Sequence, residues 1–319
     1  MADHPTASDV RRARDRIAGT VRATPLRPAP ALGAGVHLKL ENRQVTGSFK
    51  IRGAANALAG LSADERARGV VTVSSGNHGR AVAAVAAESG VPATICLSER
   101  VPDVKREAIA TLGARVVVAG PSQDDADAEA RRLVAADGLT FVHPFDDPAV
   151  IAGQGTVGLE IVEALPDVRT VVVPLSGGGL LSGIALAVKA HDPAIRVVGV
   201  SQDRGPAMHD SLRAGRLTEV VEEDTLADAL AGGLGPENRH TFALCRRLLD
   251  DVVLVTEAEI GAAMAWLHDE EGERVEGGGA VGVAALRAGR AVGEGLCVVV
   301  VSGGNVADET LQTVIGAAA

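Results

Sequence analysis

The sequence predicts an α/β protein with open parallel sheets covered by helices, folded as two lobes. Three observations carry this. Short β-branched runs alternate with Ala-rich helical stretches along the chain. The strand-like runs are continuously apolar, the pattern of strands buried on both faces. The 319 residues are 46% hydrophobic, more apolar surface than one small domain needs.

The elements follow in order. VVTVSS at 70–75 leads through a Gly turn into RAVAAVAAES, a helix apolar enough to lie between layers. PATICLS at 92–98 precedes the helical DVKREAIATLG, RVVVAG at 115–120 follows, and DADAEARRLVAADG reads as the next helix. A short run at 139–142 ends this βα series, which reads as a separate lobe over 69–146. Residues 1–68 and 147–319 then form the larger lobe, with a cleft between the two. TVVVPLS at 170–176, RVVGVS at 196–201 and CVVVVS at 297–302 supply its strands.

Composition excludes several function classes. The formal charge is −10, so a basic nucleic-acid binder is excluded as the default. Four Phe, one Trp and no Tyr leave little for base or sugar stacking. Cys96, Cys245 and Cys297 lie far apart beside apolar residues and read as buried, reduced thiols. The first twenty residues are charged and lack a signal-peptide core, and no run approaches ~18 apolar residues. A cytoplasmic protein without membrane contact is expected. There are four lysines against 27 arginines, so a retained lysine is a candidate for chemistry that a guanidinium cannot do.

Glycine is abundant at 38 residues and clusters in short runs, which suggests backbone closely approached by a ligand. A strand, a Ser-Gly loop and a helix recur three times, in VSSGNHG, PLSGGGLLSG and VSGGNVA. Such loops lie at the carboxyl ends of parallel strands, where helix N-termini attract anions. The three together point to one composite site.

Four motifs carry chemistry. In Thr46-Gly47-Ser48-Phe49-Lys50, a helix beginning near Ser48 puts Lys50 in its first turn. The helix dipole and burial would both favour the neutral, nucleophilic amine. A surface lysine fits this motif alone equally well. Ser176-Gly177-Gly178-Gly179-Leu180 lets a phosphate reach backbone N–H groups. With Ser182 and Asp203 it also resembles a degenerate dinucleotide fingerprint. Ser74-Ser75-Gly76-Asn77-His78 offers hydroxyls, an amide and helix-start N–H groups to a carboxylate or phenolate oxygen. His78 has no histidine at ligand spacing, so no metal is expected. Ser302-Gly303-Gly304-Asn305, taken alone, is a turn.

Together and in this order, the motifs resemble the fold-type II pyridoxal-phosphate enzymes, the tryptophan synthase β-like fold. More narrowly, they resemble the threonine/serine dehydratase and serine racemase family. The match runs from LENRQVTGSFKIRGAANAL through FVHPFDDPAVIAGQGTVGLEI to VSGGNVA. The resemblance implies that Lys50 holds pyridoxal 5'-phosphate as an imine and acts as a base. It implies that Ser176, Gly177, Gly178, Gly179 and Leu180 cradle the phosphate, with Phe49 near the ring. Asn77 would meet the ring hydroxyl oxygen and Ser302 the pyridine nitrogen. Ser74, Ser75, Gly76, Asn77 and His78 would grip the substrate carboxylate, with Ser75 the opposite-face acid/base. The implied reaction converts a β-hydroxy amino acid to a 2-oxo acid and ammonia, and the implied assembly is a homodimer.

The chain departs from the family in places. Ser201 and Ala207 stand where racemases place acidic cation ligands, Ala126 where they place a substrate-contacting Arg, and Glu276-Gly277-Gly278 where Glu-Pro-Ser/Thr is usual. ALAGGLGPENRHTF and SQDRGPAM resemble the dehydratases of hydroxyectoine utilisation, whose larger substrate could meet Asn238, Arg239 and His240. A serine-type racemase is the alternative within the family. An NAD-dependent dehydrogenase and a non-catalytic amino-acid sensor are the alternatives outside it.

Overall fold

The valine runs of the sheet interiors form strands covered on both faces. The computed structural model describes residues 4–291 and 295–318, so the first three residues of the charged N-terminal stretch lie outside the described residues. Its strands are β1 (Leu26–Pro28), β2 (Val36–Leu40), β3 (Val70–Val73), β4 (Ala93–Leu97), β5 (Arg115–Val118), β6 (Thr140–Phe141), β7 (Val168–Pro174), β8 (Arg196–Gln202), β9 (Asp251–Val255) and β10 (Leu296–Val301). They make a six-stranded sheet in the order β1-β2-β10-β7-β8-β9 and a four-stranded sheet in the order β5-β4-β3-β6. Every pairing is parallel except β1 with β2.

Side-chain alternation explains the unbroken apolar runs. In the large sheet Val172, Val198, Val200, Val299 and Val301 enter one cluster. Val171, Val173, Val197, Val298 and Val300 enter another on the opposite face. Successive residues of a strand point to opposite faces, so two covered faces demand apolar residues throughout. Each buried valine contributes roughly 1.5–3 kcal/mol. β5 departs from the expected buried strand. It is an edge, and its two end residues, Arg115 and Val118, are exposed.

Much of the glycine serves packing rather than a ligand. Helix Pro148–Ala164 runs between helices Lys50–Ala59 and Gly179–His191. A Cβ on Gly153 would lie 2.4 Å from the Arg52 carbonyl oxygen, and one on Gly183 would lie 2.3 Å from that of Ile151. These backbones touch because no side chain separates them. The third Ser-Gly loop also differs from expectation. After β10 the chain stays non-helical until Asp308–Ala318, and Gly303 instead bridges antiparallel to Ser48.

Behind helix Lys50–Ala59 lies a charged network in which Glu41 and Arg52 are fully buried and Lys39 is 1% exposed. Arg52 grips Glu41 with Nε to Oε2 and Nη2 to Oε1, both 2.8 Å, and Glu160 with Nη1 at 2.5 Å. Lys39 pairs with Glu160 and donates to the Thr24 carbonyl at 2.7 Å. The network ties β2, the Lys50 helix and helix Pro148–Ala164 together.

Candidate active site

Lys50 stands where two backbone turns lock together. Phe49 N–H donates to the Ser302 carbonyl at 3.1 Å, and Gly304 N–H donates to the Gly47 carbonyl at 2.8 Å. The helix begins at Lys50 itself, slightly later than the sequence suggests, because Ser48 is held in the bridge to Gly303. Lys50 Nζ opens on a cleft of about 730 Å³ between the two sheets. It donates to the Pro144 carbonyl at 2.7 Å and sits 5.3 Å from the Phe49 ring centroid. Burial lowers its pKa to about 8, against the opposing pull of Glu276. The amine is therefore far easier to deprotonate than an ordinary lysine.

The residues expected to hold the cofactor and the substrate carboxylate all line this cleft. Ser74, Ser75 and Gly76 follow β3, and Asn77 and His78 open helix Asn77–Ser89. Ser176, Gly177 and Gly178 follow β7, and Gly179 and Leu180 open helix Gly179–His191. Phe49 and Ser302 complete the group. The carboxyl ends of β3, β7 and β10 thus converge on one space, as parallel-sheet sites do.

Two details differ from expectation. The His78 ring is 2% exposed and its Nε2 meets the Val142 carbonyl at 3.0 Å. That oxygen only accepts, so Nε2 carries the proton. Burial first, then the charge of Lys50, lowers the His78 pKa to about 3. The ring is thus a neutral brace between helix Asn77–Ser89 and the chain after β6. Asn238, Arg239 and His240 do not line the cleft. Asp146 explains why: its carboxylate accepts from the N–H groups of Arg239 (2.6 Å), His240 (2.9 Å) and Thr241 (2.8 Å). This fixes the segment behind the glycine loop, where Thr241 backs Gly178.

Glu276, Asn305 and the Pro144-Phe145 pair are site residues to which the sequence reading assigned no role. Asn77 Nδ2 donates to Glu276 Oε1 at 2.6 Å, and Asn305 Nδ2 donates to Asn77 Oδ1 at 2.6 Å. Burial raises the Glu276 pKa to about 7. No local signal marks these partners, which lie 199 and 228 residues from Asn77.

The lining fits pyridoxal phosphate. Gly178 has φ +85° and caps helix Gly179–His191 without any side-chain hydrogen bond, leaving the first amides open to an anion. A Cβ on Gly177 would lie 2.4 Å from the Phe145 ring, so only glycine fits there. An amine with lowered pKa suits an aldehyde, and the Ser302 hydroxyl is a neutral partner for a ring nitrogen.

The family described as "Pyridoxal-phosphate dependent enzyme" matches residues 17–303. The chain belongs to that family. A Sinorhizobium fredii protein named "Putative threonine dehydratase" is 53% identical over 93% of this chain and 91% of its own length. The L-threonine ammonia-lyase of Thermotoga maritima is 43% identical over 97% of this chain and 78% of that one. Maize serine racemase superposes with a TM-score of 0.89 at 34% identity, covering 98% of this chain and 97% of that one. The pyridoxal-phosphate dependent chain thus falls in the threonine dehydratase and serine racemase branch. The nicotinamide reading of SGGGLLSG is overturned by this membership, and Asp203 is not among the cleft residues. Among the described residues no His, Cys, Asp and Glu side chains cluster to hold a metal ion, and no helix is long and apolar enough to cross a membrane.

Proposed function

We propose that this chain is a pyridoxal-phosphate dependent ammonia-lyase that converts a threonine- or serine-like β-hydroxy amino acid to a 2-oxo acid and ammonia. The observation that carries the reading is Lys50, an amine of lowered pKa between two amide-lined helix starts in one cleft. Bound there, the cofactor supplies an aldehyde for amine chemistry and a sink for the electron pair left at Cα. The amides after β7 hold its phosphate, and Phe49 packs beside its ring. Asn77 and Ser302 orient the ring through its oxygen and nitrogen. The hydroxyls and amides of Ser74–Asn77 hold the substrate carboxylate, which places Cα–H within reach of Lys50 Nζ. Lys50 takes that proton and passes it to the departing β-hydroxyl, which leaves as water, and the released enamine adds water to give 2-oxo acid and ammonium. Enclosure between the sheets limits solvent access to the reacting carbon.

A racemase is the second reading, favoured by Ser75, a cleft hydroxyl suited to proton transfer on the other face. Incubation in heavy water separates the two. An ammonia-lyase releases 2-oxo acid from threonine or serine, whereas exclusive return of Cα-deuterated, inverted substrate would reject it. Ser75→Ala is expected to suppress any deuterated inverted serine more than elimination. A hydroxyectoine-derived amino acid belongs in the same substrate screen.

Gly178→Ala tests the phosphate cradle. A Cβ there would lie 2.9 Å from both Cys245 Sγ and Met208 Cε, at a φ that side chains rarely adopt. Strain of about 1–3 kcal/mol predicts cofactor affinity roughly 10- to 100-fold weaker, measured by absorbance titration of apoenzyme. Affinity equal to the parent's would remove this role from the loop. The same reading divides the chain into a cofactor lobe (1–68 and 147–319) and a small lobe (69–146). It places the protein in the cytoplasm as a homodimer, as the implied family assembly suggests.

A further inference from the structure

Four basic side chains line the cleft: Lys50, Arg80, Lys105 and Arg274. Three are occupied. Lys50 donates to Pro144, Arg274 pairs with Asp308 at 2.5 Å, and Lys105 lies 3.9 Å from Asp228. Arg80 makes no side-chain hydrogen bond or ion pair among the described residues.

Its position makes this unusual. Arg80 is the fourth residue of helix Asn77–Ser89, whose cap Gly76 offers no side chain. The positive end of a helix disfavours a cation, and the half-buried guanidinium has lost part of its water. Its charge is felt at Glu276, but Asn77 already holds that carboxyl and burial keeps it partly protonated near pH 7. A free guanidinium fork beside the loop assigned to the α-carboxylate lacks only an anion.

We infer that Arg80 is a specificity residue that receives a carboxylate on the substrate side chain, so that the preferred β-hydroxy amino acid carries a second acid beyond its reacting carbon. This rests on the ammonia-lyase reading above. Lys105, nearer solvent and paired only at 3.9 Å, adds charge to the same region.

The test uses holoenzyme and reads binding apart from turnover. L-Aspartate and L-alanine share the amino-acid end and have no β-hydroxyl to lose. Calorimetry is expected to show aspartate binding about tenfold or more tighter than alanine, as a charged hydrogen bond allows. Arg80→Gln should erase most of that advantage, and Arg80→Lys should keep part of it. L-Asparagine should gain little over alanine, which separates charge from hydrogen bonding. In turnover, the ratio of kcat/KM for 3-hydroxyaspartate to that for threonine should fall about 30-fold in Arg80→Gln. Equal binding of aspartate and alanine, or an aspartate advantage that survives Arg80→Gln, overturns the assignment. Release of 2-oxo acid from threonine without any aspartate preference overturns the Arg80 assignment alone. Arg80-dependent aspartate binding without 2-oxo acid from any β-hydroxy amino acid overturns the lyase reading and leaves the anion subsite standing.

Discussion

Lys50→Ala is expected to lower turnover by at least about 10³- to 10⁴-fold, because base and covalent anchor are lost together. Borohydride treatment of parent holoenzyme should add the cofactor's mass to the peptide containing Lys50, read by mass spectrometry. An adduct on another lysine would reject the assignment. The alternatives are poor: Lys39 is 1% exposed and paired with Glu160, Lys189 holds Asp250 at 2.7 Å, and Lys105, at the cleft's edge, is solvent-exposed and faces Asp228 at 3.9 Å. The pH dependence follows from the direction of the shift. A lysine lowered to about 8 is roughly one-tenth neutral at pH 7, against about 0.03% for an ordinary one. Cofactor capture by apoenzyme should therefore rise about tenfold per pH unit below 8 and level off above it. Glu276 acts against this lowering, so Glu276→Gln should move the midpoint to lower pH. A midpoint near the ordinary lysine value would show a hydrated Lys50.

Arg52→Met is expected to destabilise the fold by roughly 3–5 kcal/mol, measured by denaturant unfolding. The substitution keeps much of the side-chain volume and strips fully buried Glu41 of its cation. Acid behaviour gives a second readout. Burial pushes the Glu160 carboxyl up, but Arg52 and then Lys39 pull it further down, so the net shift is below 4.5. A carboxyl lowered in the folded state adds stability above its unfolded pKa and loses it as pH falls through the folded value. The parent should lose that increment below about pH 4.5, and the loss should be smaller in Arg52→Met. An Arg52→Met curve superimposable on the parent's would mean that the network contributes nothing net.

How far the sequence was legible depended on how local each signal was. β3, β4, β7, β8 and β10 were visible because covered strands need unbroken apolar runs. The loops at Ser74 and Ser176 were visible because short Ser-Gly segments follow such strands. β1 was not, since three residues ending in Pro28 carry no periodicity and pair only because β2 lies alongside. Asn238–His240 drew attention through a family resemblance of the surrounding stretch, yet the Asp146 carboxylate that holds Arg239, His240 and Thr241 is 93 to 95 residues away. Arg80 was read only as the start of the helical stretch RAVAAVAAES, and its lack of a counter-charge emerges only when neighbours from both sheets are in place.

The cleft draws its walls from segments near residues 50, 75, 145, 177, 229, 276 and 303, spread across both sheets. No fragment of the chain can therefore present a binding surface before the whole has condensed. Occupancy by the vitamin is then linked to global unfolding, each tenfold excess over its dissociation constant adding about 1.4 kcal/mol. Scarcity of the nutrient would register in a cell first as shortened protein lifetime, ahead of any kinetic deficit.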